Sequence, residues 1–216
     1  MERLAFREMP DSGPRPEPNP LWSPETYDQY LAWAIERGTT ANGVFGAKIM
    51  WGYLGDFADL LRGIDGLRAL PIPQLLNEVF PALRYVQITR EDKVRQAVSL
   101  WKAVQTQAWR REGEGKADVE VEFSFRAINY LVRLLTAHDA SWDAYFLGFG
   151  RRPLKVTYEE LAAAPEPTVR RVLQHLDIEV PGALKLEGPY LKVQADEVSE
   201  DWVRRFHEHL AALERE

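Results

Sequence analysis

Arg90 is the residue best placed for chemistry, in the stretch Arg84–Arg111, RYVQITREDKVRQAVSLWKAVQTQAWRR. It follows Tyr85–Thr89, a short β-branched and aromatic run that reads as a buried strand. Asp92 then offers a side-chain oxygen to cap a helix, with Glu91 beside it where the helix dipole favours negative charge. Arg90 is thus predicted at the carboxyl end of a strand, where ligands collect in open α/β sheets. Ser99 falls about two turns along the helix. The stretch holds seven Lys/Arg against two Asp/Glu, a net +5 in a chain of net −6, so the remainder carries −11. Cations concentrated locally in an acidic protein suit a small anion better than a polyanion. The pattern is that of a phosphate site.

The elements that must position this site follow from periodicity. After Asp92, residues Val94, Ala97, Val98, Trp101, Gln105 and Ala108 recur at helical spacing and predict one inward face. Upstream, six prolines between residues 10 and 24 exclude a helix or central strand and predict an extended surface segment, either a tether or a substrate lid. Ser23-Pro24-Glu25 reads as a helix start, with Tyr27, Tyr30, Leu31, Ala34 and Ile35 inward and Gly38 at the end. Asn42–Trp51 reads as a second buried strand. Lys48 within it is either an edge residue reaching water or an anion ligand. Leu54–Arg62 and Pro73–Phe80 read as short amphipathic helices.

After a polar loop (EGEGKADVE), a long helix is predicted over Glu122–Phe146, with Phe125, Ile128, Val132, Leu135, Trp142 and Phe146 near one face. Pro153–Tyr158 is a third strand candidate, Pro167–Leu176 a helix, and Asp177–Val198 a loop-rich return. Ser199 is the expected cap of the last helix. Strands alternating with helices predict an α/β fold, a mainly parallel sheet flanked by helices, in one domain over residues 1–216.

Composition narrows the function classes. A pI near 5.4 leaves no broad basic face for nucleic acid. The absence of cysteine excludes disulfides and thiolate–metal centres. His138, His175, His207 and His209 lie in mostly charged surroundings, and His207 and His209, two apart, face different ways, so no metal is expected. No Walker loop and no Gly-x-Ser-x-Gly elbow occurs. The N-terminus (MERLAFREMPDSG) has no apolar h-region and no apolar run approaches spanning length, which predicts a cytoplasmic protein without a membrane span.

Three blocks carry a family resemblance. Gly43-Val-Phe-Gly-Ala-Lys-Ile-Met-Trp51 resembles a Gly-x-x-Gly-x-Lys-hydrophobic-Met-Trp pattern. Arg90-x-Asp92, Gln96-Ala-Val-Ser99, Trp101 and Ala103-Val-Gln-Thr-Gln107-x-Trp109-Arg110 form the most distinctive block. Gln194-Ala-Asp196, Ser199, Trp202 and Arg205-Phe206 form the closing one. In this order they resemble the bacterial trehalose 2-sulfotransferase family, carbohydrate sulfotransferases whose fold is related to the P-loop kinases. The resemblance implies transfer of a sulfuryl group from 3′-phosphoadenosine-5′-phosphosulfate to a hydroxyl of a sugar or glycolipid acceptor, without a metal. It further implies that Arg90 and Ser99 bind the donor's 3′-phosphate. Ser99 also fits a bland role, a small residue packing helix against sheet.

The chain departs from the family pattern at its start. The family's first strand and Arg-Ser-Gly-Ser-Thr-type loop, which cradles the 5′-phosphosulfate, have no counterpart, so the sequence as given is expected to be N-terminally truncated or impaired. Met1–Phe6 resembles the segment after the family's first helix, where a carboxylate is proposed to take the acceptor proton. Glu2 is the matching position; an exposed terminal glutamate is the alternative. A second class of function stands beside the enzyme, a non-catalytic sulfotransferase-like module for binding or dimerisation. Apolar surface uncovered by a missing strand and helix would favour a homodimer.

Overall fold

The computed structural model describes residues 27–107, 120–180, 182 and 196–215. Glu2, the proline-rich stretch 10–24, the Ser23 helix start, Ala108, Trp109 and Arg110, the EGEGKADVE loop up to its last residue, most of the 177–198 return and Gln194 lie outside the described residues. The described residues fall into two compact units, one within Tyr85–Asp143 and Arg152–Glu216, the other within Ser12–Arg84 and Ala144–Arg151.

The first unit holds the strand–helix element around Arg90. Strand β1 (Val86–Thr89) leads into helix α4 (Lys93–Thr106), which among the described residues follows helices α1 (Tyr27–Gly38), α2 (Trp51–Arg62) and α3 (Ile72–Val79). Asp92 caps α4 as its sequence predicts, its side chain accepting the Arg95 N–H at 2.8 Å. Helix α5 (Phe125–Gly148) starts in this unit. Strand β2 (Leu154–Thr157) then pairs with β1 in parallel, in the register Val86↔Leu154 to Thr89↔Thr157. Helix α6 (Tyr158–Ala163) follows directly. A capping box sets its start: Thr157 Oγ1 accepts the Glu160 N–H, and Glu160 Oε2 accepts the Thr157 N–H, each at 3.1 Å. Helix α7 (Pro165–His175) begins on a proline, and helix α8 (Glu197–Leu213) ends the chain.

The core of this unit lies between α4, α5 and α8. Ala97, Val98 and Trp101 meet Ala127, Ile128, Leu131, Trp202, Val203 and Phe206, all buried. Trp101 also donates its indole N–H to the Glu122 carbonyl at 2.9 Å, which satisfies the one polar atom of a buried ring. Polar ties fix α4 against α8: Arg95 pairs with Glu200, and Lys102 with Asp196.

The second unit contains α1 (Tyr27–Gly38), α2 (Trp51–Arg62) and α3 (Ile72–Val79). Leu54, Ala58 and Leu61 of α2 and Leu75 and Leu76 of α3 are buried here, as are Tyr27, Tyr145 and Phe146. Three sequence expectations are corrected in the two units. Residues 42–51 do not form a strand. They make a turn closed by an isolated antiparallel bridge, Thr39 to Phe45, followed by extended chain that enters α2 at Trp51. Gly43 sits at φ +80°, a conformation that ends strand pairing, and its N–H reaches the Thr40 carbonyl at 2.8 Å. Second, β1 is not buried on both faces: Gln87 and Thr89 point inward, whereas Ile88 is 68% exposed. The inward residues are polar because they meet carboxylates on α5, Asp143 for Gln87 and Asp139 for Thr89. Third, Ser199 is not the cap of α8. Asp196 is, accepting the Ser199 N–H at 2.9 Å and the Ser199 hydroxyl at 2.8 Å. Among the described residues the sheet therefore has two strands, a small parallel sheet in a mixed α/β chain.

Candidate functional site

Arg90 stands where its sequence places it, in the turn between β1 and α4. Its guanidinium forms no hydrogen bond with any described residue, and the Nε atom is buried without a hydrogen-bond partner. Buried donors are almost always hydrogen-bonded, which makes the Arg90 Nε an exception among the described residues. Two neighbours hold the group without hydrogen-bonding it. Its Cζ lies 4.5 Å from the centre of the Tyr158 ring, and its Nε lies 3.7 Å from Glu159 Oε1, too far for a hydrogen bond.

The backbone around Arg90 is held from two sides. Glu159 Oε2 accepts the Glu91 N–H at 3.0 Å, and Oε1 accepts the Asp92 N–H at 3.4 Å. Burial pushes the Glu159 carboxyl up, but the amides of Glu91, Glu159 and Asp92 and the Arg90 charge outweigh it, leaving the group below its ordinary value and ionised. On the other side Lys93 bonds the Arg90 carbonyl. The same ammonium reaches Thr89 Oγ1 at 3.0 Å, Gln96 Oε1 at 3.3 Å and Asp139 Oδ2 at 2.6 Å. Lys93 is thereby committed to the protein, and of the two cations only Arg90 makes no side-chain hydrogen bond to a described residue.

Ser99 lies on α4, half-buried, and its hydroxyl has no partner among the described residues. It does not touch Arg90. Lys48 is exposed in the second unit. Among the described residues no group of His, Asp and Glu is arranged to hold a metal ion. His175 Nε2 lies 3.0 Å from the Tyr85 carbonyl, and His209 stacks on Phe125 with ring centres 4.0 Å apart.

The closing block and the rest of the block that holds Arg90 resolve into structural roles. In the closing block Asp196 and Ser199 form the α8 cap, Trp202 and Phe206 fill the core, and Arg205 lies over the Phe123 ring at 4.1 Å. In the central block Gln105 ties α4 to the chain before α5, accepting the Glu122 N–H at 2.8 Å and donating to the Glu122 carbonyl at 3.2 Å. Sequence reasoning missed Tyr158, Glu159 and Lys93. For the first two a signal existed: Thr157-x-x-Glu160 is a capping-box spelling, and it places Tyr158 and Glu159 at the head of a helix directly after a strand.

Residues 14–209 match the family described as Stf0 sulphotransferase. A protein named trehalose 2-sulfotransferase from Mycobacterium tuberculosis (strain ATCC 35801 / TMC 107 / Erdman) is 35% identical over 174 residues. A second protein of that name, from Mycolicibacterium smegmatis, is 32% identical over 172 residues. Each alignment covers 78% of this chain and 62% of the relative, so the chain spans about three fifths of their length. The family match takes in Arg90, Lys93, Glu159 and the buried residues of the α4–α8 core: the chain belongs to the Stf0 sulphotransferase family.

Proposed function

We propose that the protein is a carbohydrate sulfotransferase, transferring a sulfuryl group from 3′-phosphoadenosine-5′-phosphosulfate to a hydroxyl of a sugar or glycolipid acceptor. The observation that carries the reading is the guanidinium of Arg90, at a strand's carboxyl end and without a hydrogen-bonding partner among the described residues. The names of the two relatives point to trehalose as the first acceptor to try.

Arg90 would grip the donor's 3′-phosphate through charge-assisted hydrogen bonds, with the Ser99 hydroxyl as a further donor. The residues present fit that group: the arginine has donors to spare and Ser99 has an unengaged hydroxyl. The acceptor oxygen attacks sulfur in line, the bond from sulfur to the 5′-phosphate oxygen breaks, and adenosine 3′,5′-bisphosphate leaves. The acceptor's proton passes to a carboxylate, for which Glu2 is the proposed base. Catalysis of this kind is mostly positioning and charge stabilisation, so the site's rigidity matters more than its reactivity.

The test is transfer of radiolabelled sulfate from the donor to trehalose and to a panel of other sugars by the full-length protein. Label on a sugar, lost in Arg90→Ala, supports the reading. A protein that binds neither donor nor product overturns it.

A further inference from the structure

We infer that Glu159 is a positioning residue for Arg90, holding the arginine ready for an anion through a loose ion pair that takes up none of its hydrogen-bond donors. The inference rests on the reading of Arg90 as the 3′-phosphate ligand, and adds a residue to it.

The geometry is specific. Parallel pairing sets Thr89 of β1 beside Thr157 of β2, so both strands end at the same level. Arg90 and Tyr158 leave those ends as neighbours, and Glu159 arrives one residue later. Its carboxylate then makes three contacts with one turn: the N–H groups of Glu91 and Asp92, and the flank of the Arg90 guanidinium. With Lys93 on the Arg90 carbonyl, the backbone of this turn is bonded on both of its polar sides. Tyr158 lies against the guanidinium and limits its tilt.

Three consequences follow. An arginine side chain has many rotamers, and one already confined loses less freedom when a phosphate binds. The 3.7 Å gap keeps Glu159 from consuming the donors a phosphate needs, while its charge favours the observed side-chain placement. Glu159 also occupies the amides of Glu91 and Asp92. These would otherwise attract an anion at the start of α4, so an incoming phosphate is directed to side chains rather than to the helix end.

The experiment compares affinities for adenosine 3′,5′-bisphosphate and adenosine 5′-monophosphate, which differ only in the 3′-phosphate. Calorimetry is run on the full-length protein and on Arg90→Ala, Glu159→Ala, Glu159→Gln and Arg90→Ala/Glu159→Ala. The ratio of the two affinities isolates the 3′-phosphate, and a general loss of folding does not move it selectively. The expected result is a roughly tenfold lower ratio in Glu159→Ala. Glu159→Gln, whose amide oxygen still accepts an N–H, should recover most of it. No further loss is expected when Glu159→Ala is added to Arg90→Ala, because two residues acting through one contact are not additive. If Arg90→Ala collapses the ratio and Glu159→Ala leaves it unchanged, the positioning role is wrong and the phosphate site stands. If Glu159→Ala weakens both nucleotides equally, or its effect persists undiminished without Arg90, the role is also wrong. If Arg90→Ala leaves the ratio unchanged, the phosphate site itself is wrong and the inference falls with it.

Discussion

Lys93 Nζ lies 2.6 Å from Asp139 Oδ2, joining the first turn of α4 to the middle of α5. The ammonium is 18% exposed and the carboxylate 30%, so water screens the pair only in part. Because the same nitrogen bonds Thr89 and the Arg90 carbonyl, one side chain fastens the strand end, the turn and the two helices together.

Lys93→Met should therefore destabilise the protein well beyond a surface substitution. It removes charged hydrogen bonds and leaves Asp139 with the Thr89 hydroxyl, a loss on the order of 1–3 kcal/mol. Urea unfolding monitored by tryptophan fluorescence measures it. A change below about 0.5 kcal/mol, the range of ordinary surface sites, would show that the network is not structural.

Trp101 makes two separable contributions. Trp101→Ala removes a large buried ring from the α4–α5–α8 core and should cost about 3–5 kcal/mol. Trp101→Phe keeps most of the packing and removes one of the two hydrogen bonds that the Glu122 carbonyl accepts, the Gln105 amide remaining, a smaller cost of about 0.5–1.5 kcal/mol. Denaturant midpoints that rank the variants in the opposite order would place the ring outside the core.

These cases show what the sequence made legible. The α4 core face and the Asp92 cap were readable because both are local: helical spacing places Ala97, Val98 and Trp101 together, and a cap sits next to its helix. The position of Arg90 followed from the same strand-to-helix punctuation. Asn42–Trp51 misled because a short apolar run fits a strand, a loop or a helix start equally, and the φ of Gly43 is decided by the turn it closes. Asp196 and Ser199 are both good caps three residues apart, and the better acceptor took the position. Glu159 was invisible for a different reason. It reaches the Arg90 turn across 68 positions of sequence, through a strand register that no local pattern encodes.

Asp196 gives the fold an acid-sensitive joint. Partial burial pushes its carboxyl up, but the Lys102 ammonium and the amide and hydroxyl of Ser199 outweigh that and lower it from 3.8 to about 2. A folded-state value below the unfolded one means stability that is fully present above about pH 4 and lost as pH falls through 2. The side chain is 51% exposed, so after allowance for solvent screening the contribution is on the order of 1 kcal/mol. Asp196→Asn keeps a capping oxygen and loses the charge, so its stability should vary less than the wild type's between pH 4 and 2. Parallel acid-unfolding curves for the two proteins would remove Asp196 from this role.

The most direct measurement is the affinity of the full-length protein for adenosine 3′,5′-bisphosphate with and without Arg90. Calorimetry on Arg90→Ala should show a loss of about 1.5–3 kcal/mol, the contribution of hydrogen bonds to a charged group. That is about tenfold to a hundredfold in the dissociation constant. Adenosine 5′-monophosphate should bind both proteins alike. Equal affinity of the two proteins for the bisphosphate would contradict the assignment of Arg90 as the phosphate ligand.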